Sequence, residues 1–176
     1  ETKGMPFNQS MTVPYELKLA STAEGPRLTF TPVRELESLR AKSHRFDGAT
    51  LAPGGANPLA GVRAELVELR AAFDPGDATE VAFTVRGAAI VYDVKKQELT
   101  VNQHRAPAPL RGGRQRLTIY CDRTGLEVFA SDGFTYVPMP FQPKAGDLSL
   151  TVEAKGGSAR FDTLQVHELK SPWRLP

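Results

Sequence analysis

Between Asp122 and Tyr136 the chain carries an arginine, carboxylates and aromatic rings, the side-chain types that hold a sugar. A guanidinium and carboxylates grip neighbouring hydroxyls, while a ring packs on the C–H face of the sugar. Ser131-Asp132-Gly133 joins two alternating runs, and Asp-Gly favours the tight turn of a hairpin. That hairpin is expected to bring Arg123, Glu127 and Asp132 to one corner, with Phe134 and Tyr136 offering aromatic faces. Arg123, Glu127, Asp132 and Tyr136 are therefore the candidate carbohydrate contacts. The plainer reading of the same residues is an arginine–carboxylate ion pair that pins the hairpin.

Other reactive side chains point to architecture. His44, His104 and His167 are too widely spaced for a local ligand motif, and Cys121 is the single cysteine. No disulfide and no thiolate cage can form within the chain, and neither a metal site nor a cofactor is assigned. Cys121 lies mid-strand, as a buried and inert thiol does. Asp74-Pro75-Gly76-Asp77 has the carboxylates of a calcium loop but the proline position of a plain turn, which is preferred. Arg111-Gly112-Gly113-Arg114-Gln115-Arg116 reads as a basic hairpin approach. Asn8-Gln9-Ser10 matches a glycosylation triplet of a kind common by chance, and Trp173 reads as a terminal plug packing on a neighbour. No catalytic residue is assigned.

The elements that must position these residues are strands. Tyr15-Glu16-Leu17-Lys18-Leu19, Val81-Ala82-Phe83-Thr84-Val85, Leu117-Thr118-Ile119-Tyr120-Cys121 and Leu126-Glu127-Val128 alternate apolar with polar or small residues, as a half-buried strand does. Val62, Leu66, Leu69 and Phe73 also fit a helix, but Val67, Leu69, Ala71 and Phe73 alternate and run into the Asp74–Asp77 turn, so a strand is expected. The Ala-, Pro- and Gly-rich stretch from Ala49 to Gly61 is a surface crossing within one domain. About eleven strands and no long helix predict an all-β fold, an antiparallel two-sheet β-sandwich or a barrel. The 176 residues, with 15 glycines and 14 prolines, suit one domain of that kind. A net charge of +2 gives no reason to expect nucleic acid, and no apolar run is long enough to span a bilayer as a helix, so neither nucleic acid nor membrane is an expected partner.

A resemblance covers most of the chain. Gly4-Met5-Pro6-Phe7-Asn8-Gln9-Ser10-Met11-Thr12-Val13-Pro14-Tyr15-Glu16-Leu17 resembles the junction between the two domains of glycoside hydrolase family 32, which includes levanases and related fructosidases. Pro32-Val33-Arg34-Glu35-Leu36-Glu37, Phe73-Asp74-Pro75-Gly76-Asp77 and the run from Ile119 to Gly133 are similar to later segments of that family, in the same order. Asn102-Gln103 departs from it, standing where the family often carries Asp-Arg, and Ser131 replaces an asparagine. The resemblance implies a two-sheet β-sandwich of the concanavalin-like jelly-roll kind, lying C-terminal to a catalytic five-bladed propeller.

On that basis residues 1–13 are expected to be a linker from the propeller, 14–170 the sandwich and 171–176 a tail. Met5, Phe7, Met11 and Val13 would lie along the inter-domain seam. The family's chemistry, as the resemblance implies, uses carboxylates in Asn-Asp-Pro, Arg-Asp-Pro and Glu-Cys motifs, and none of these occurs here. The expected function is a non-catalytic module supporting a fructan-hydrolysing propeller. The alternative is a module that grips terminal fructose, as the related family 66 carbohydrate-binding modules do. The resemblance further implies an extracellular or periplasmic parent, whose signal peptide would lie upstream of Glu1.

Overall fold

The structure, a computed structural model, describes residues 10–172. It opens with a hairpin of β1 (Tyr15–Thr22) and β2 (Gly25–Pro32), followed by a 3-10 turn over Arg34–Leu39. Next come β3 (Arg40–Arg45), β4 (Thr50–Leu51), β5 (Val67–Asp74), β6 (Glu80–Val85) and β7 (Ala88–Asp93). Then follow β8 (Glu98–Val101), β9 (His104–Pro107), β10 (Gln115–Cys121), β11 (Gly125–Ala130) and β12 (Thr135–Pro140). The last strands are β13 (Leu150–Lys155) and β14 (Ala159–Leu169). The strands missing from the expected eleven include β4, β8 and β9, which are too short to establish a periodicity.

One sheet has seven strands in the order β12-β11-β10-β5-β14-β3, with β4 also on β14, and the other has five in the order β13-β6-β7-β8-β9. Among the described residues neither closes on itself and no strand of one pairs with a strand of the other, so the fold is a sandwich and the barrel alternative falls away. The inner faces meet through rings: Phe73 of β5 lies 6.3 Å from Phe83 of β6 and 6.0 Å from Tyr92 of β7, and its sheet neighbour Phe161 of β14 lies 6.3 Å from Phe83. The segment with two possible periods forms β5 from Val67 onward, a central strand paired by β10 and β14. Val67, Leu69, Ala71 and Phe73 point into the core, which decides in favour of the period of two. The Ala49–Gly61 crossing supplies core residues as well as surface. Leu59 is buried, and the Asn57 side chain donates to Leu150 O at 2.9 Å and accepts from Val152 N–H at 3.1 Å, covering the free edge of β13.

The outer face of the seven-stranded sheet carries polar groups. Strand register places Pro138, Glu127, Tyr120, Glu68, His167 and Ser43 in one line across it. The β1–β2 hairpin lies over the β11–β12 end of this face, with Tyr15 and Phe30 packed on Phe129 and Tyr136. Gly133 sits beneath it with φ +87°, and a Cβ there would stand 2.5 Å from Phe30 O, so the close approach requires glycine.

Candidate functional site

The four candidate sugar contacts occupy three separate places. β10 and β11 are joined by a turn through Asp122–Thr124, and β11 leads to β12 through Ser131-Asp132-Gly133. Arg123 and Asp132 therefore stand at opposite ends of β11, roughly 20 Å apart at ~3.4 Å per residue. The expected single corner does not form, because the hairpin that carries Asp132 starts where the strand that follows Arg123 ends.

Glu127 and Tyr136 are brought together on the outer face. The Tyr136 hydroxyl donates to one Glu127 oxygen, and the other accepts the Val13 backbone N–H at 2.7 Å. Burial raises the Glu127 pKa, the two donors only partly opposing it, and burial raises that of Tyr136 as well. The Tyr136 ring stacks on Phe129 at 4.5 Å and on Phe30 at 5.2 Å, so its faces are already occupied. Asp132 pairs with Arg116 at 3.3 Å, and the Phe134 ring is covered by the Arg111 guanidinium at 4.5 Å. For Asp132 the plainer reading, an ion pair pinning the hairpin, describes the geometry.

Arg123 reaches a partner far away in sequence. Its Nε and Nη2 donate to the two oxygens of Glu65 at 2.8 and 3.0 Å, a fork-to-fork pair that lowers the Glu65 pKa. Both side chains line an open depression of about 510 Å³ together with Arg86, Pro143, Ala145, Gly146 and Leu148. Glu65 and Arg86 belong to no local motif, and only the fold brings them to Arg123.

The remaining polar residues are structural. Glu68, 1% exposed, accepts from Arg40 Nε and Nη2 at 2.6 and 2.7 Å. His167 is 2% exposed, bonds Ser43 Oγ through Nδ1 at 2.7 Å, and leaves Nε2 with no partner. Burial raises the Cys121 thiol to about 11, which fits an inert group. Asp74 Oδ1 accepts the Gly76 N–H at 3.0 Å and Asp77 Oδ1 the Ser158 N–H at 2.6 Å, so this turn spends its carboxylates on the backbone. Among the described residues no group of three or more His, Cys, Asp or Glu is placed to hold a metal ion.

Of the seam residues, Met11 is exposed and Val13 half-buried, while Met5, Phe7 and also Trp173 lie outside the described residues. Among the described residues a further apolar flank lies on the hairpin. Leu17, Leu19 and Leu28 are 56%, 71% and 52% exposed, and cross-strand pairing puts them on the face that carries Tyr15 and Phe30.

Fold and surface together define an antiparallel β-sandwich domain whose described residues include an exposed apolar flank on the hairpin. The chain belongs to the family described as glycosyl hydrolases family 32 C terminal, whose model matches residues 35–168. It is 31% identical to a levanase of Bacillus subtilis (strain 168), over 96% of this chain and 28% of that protein. It is 27% identical to a levanase of Bacillus sp. (strain L7), over 93% of this chain and 20% of that protein. The chain thus spans about a quarter or less of the curated relatives it matches. Among solved structures, an exo-inulinase from Aspergillus awamori superposes with a TM-score of 0.81 at 20% identity, over 97% of this chain and 38% of that one. A fructan 1-exohydrolase IIa from Cichorium intybus gives 0.65 at 15% identity, over 88% and 40%.

Proposed function

We propose that this chain is the non-catalytic C-terminal module of a levanase-like enzyme that hydrolyses β-fructosidic bonds, and that it packs on and supports the catalytic propeller. The observation that carries this reading is the exposed leucine face of the β1–β2 hairpin. Covering Leu17, Leu19 and Leu28 would contribute on the order of 3 kcal/mol, enough reason for a second body to sit there. Tyr15 and Phe30 anchor the same face to the sandwich, so a partner resting on the leucines would be held rigidly to it.

The absence of chemistry in this module is supported by how its buried carboxylates are used. Glu68 is held by Arg40, and Glu127 by Tyr136 and Val13. Neither is a free member of the pair, about 5–5.5 Å apart, that a retaining glycosidase needs. The substrate class in this reading is taken from the relatives' names, levanase above all, and a polymeric substrate suits a parent that works outside the cytoplasmic membrane, in the periplasm or the medium.

The test is to produce this chain and the propeller region of its parent separately and measure their association by ultracentrifugation. The wild-type pair is expected to form a 1:1 complex that the Leu17→Asp, Leu19→Asp double variant loses while keeping its own β-sheet circular dichroism. Undiminished association of that variant would sink the hairpin as the seam.

A further inference from the structure

The β1–β2 hairpin is fastened to the sandwich without sharing its core. Between residues 10 and 50 only Thr29 is buried, at 9% exposed, and the hydrophobic core begins at Leu51. β1 and β2 pair with each other over eight positions and, among the described residues, with no strand of either main sheet. A two-stranded hairpin alone is marginal in water at best, so the order of this one depends on the seat beneath it.

That seat lies where the strands enter and leave the hairpin. Tyr15 and Phe30 each lie 5.2 Å from the Tyr136 ring, and the Val13 N–H bonds Glu127 at 2.7 Å. The Phe30 backbone closes on Gly133. Leu17, Leu19 and Leu28 continue the same face into solvent. The chain is held a second time at its exit. The Arg34–Leu39 turn has no buried residue, and its Glu37 touches Arg40 and Arg70 only at 3.3 and 3.4 Å. Just beyond, Leu39 O accepts the Lys170 N–H at 2.8 Å, and Arg40 forks onto Glu68 at 2.6 and 2.7 Å. Loss of the seat therefore frees the hairpin and the turn, and leaves the chain anchored at Leu39 and Arg40.

We propose that the β1–β2 hairpin is a hinged strap, which leaves its seat and pivots on the Arg34–Leu39 turn while both sheets of the sandwich stay folded. Once detached it has no sheet to lean on and loses its own pairing, so it opens as a unit. A body that covers the leucine face holds the strap closed, because it supplies the side that the seat lacks. By reciprocity, a strap held closed binds that body more tightly. The identity of the body rests on the function proposed above; the hinge does not.

Amide hydrogen exchange followed by NMR on the chain alone tests the hinge. Val13 and the amides bonded between β1 and β2 are expected to share one protection factor, about a hundredfold or more below those of β5, β10 and β14. Lys170, at the anchor, should stay with the protected group. Phe30→Ala takes a ring from the seat and none from the core, so it should lower hairpin protection about fivefold further and leave the sheets unchanged. A gradient of protection from the base of the hairpin to its Thr22–Gly25 end would mean fraying. Protection equal to that of β5 would make the hairpin an integral part of the fold. Either result, or a Phe30→Ala chain with unchanged hairpin exchange, overturns the strap. A second measurement adds the propeller region of the parent, and a complex is expected to raise protection of Val13 and the hairpin about tenfold or more. A complex that leaves their exchange unchanged overturns the closing step. Absence of any complex by ultracentrifugation overturns the docking function instead, and the hinge is decided by the chain alone.

Discussion

Tyr136 and Glu127 meet diagonally across β11 and β12, and the phenol donates to a carboxylate whose other oxygen holds the Val13 backbone N–H. One buried acid therefore joins the sandwich to the arm that leads into the β1–β2 hairpin. The rings of Tyr15, Phe30, Phe129 and Tyr136 close over it, and Pro14 O accepts the Val33 N–H at 3.1 Å on the far side of the hairpin base. The hairpin's leucine face is presented at a set angle because its base is bonded and packed in this way.

Tyr136→Phe keeps the ring stack and removes only the hydroxyl. Glu127 then keeps a buried oxygen without its donor, at a cost of about 1–3 kcal/mol. Urea unfolding should show a lower midpoint with an unchanged slope. Hydrogen exchange should rise first at Val13 and along β1. Exchange rising evenly over the whole sandwich would mean that the pair does not specifically hold the arm.

Half-buried Arg40 and buried Glu68 pair on the same outer face, and removing the arginine takes away the short ion pair and leaves the buried carboxylate with Arg70 Nε 3.9 Å away. Arg40→Met is expected to destabilise the chain by about 3–5 kcal/mol, whereas Arg40→Met with Glu68→Met should recover most of the loss. Chemical denaturation of both variants checks this. A double variant no better than the single one would place the loss in packing of the arginine stem.

The sandwich and most strand positions are legible in the sequence because an alternation of two leaves no other way to bury Val81, Phe83 and Val85 or Leu117, Ile119 and Cys121. β5 needs the fold to settle it, since its apolar positions satisfy two periods. The site is legible only in part. Arg123 is singled out by its type and its turn, but Glu65 lies 58 positions away and Arg86 sits in an ordinary two-residue turn. Their meeting is a product of loop packing, which leaves no periodic trace. Glu127 and Tyr136 show the converse, since the hairpin pattern places them together and only the arm and the ring stack reveal that their polar groups are spent internally.

His167 gives the fold a pH dependence whose sign follows from its surroundings. Burial lowers its pKa below the ordinary 6.5, helped by the Arg40 charge and, more weakly, by Arg70 and Arg45, while Glu68 works in the opposite sense. The folded chain thus binds a proton at this site less readily than the unfolded chain. Its contribution to stability is complete above about pH 6.5 and is lost as pH falls through that value toward the lower folded pKa. The melting temperature should therefore slope downward below pH 6.5, before the carboxylates with lowered pKa values, such as Glu65, Asp147 and Glu168, begin to protonate. His167→Gln can still hydrogen-bond Ser43 and cannot take up a proton, so it should flatten this part of the profile. A slope that persists unchanged in His167→Gln would assign the acid sensitivity to other groups.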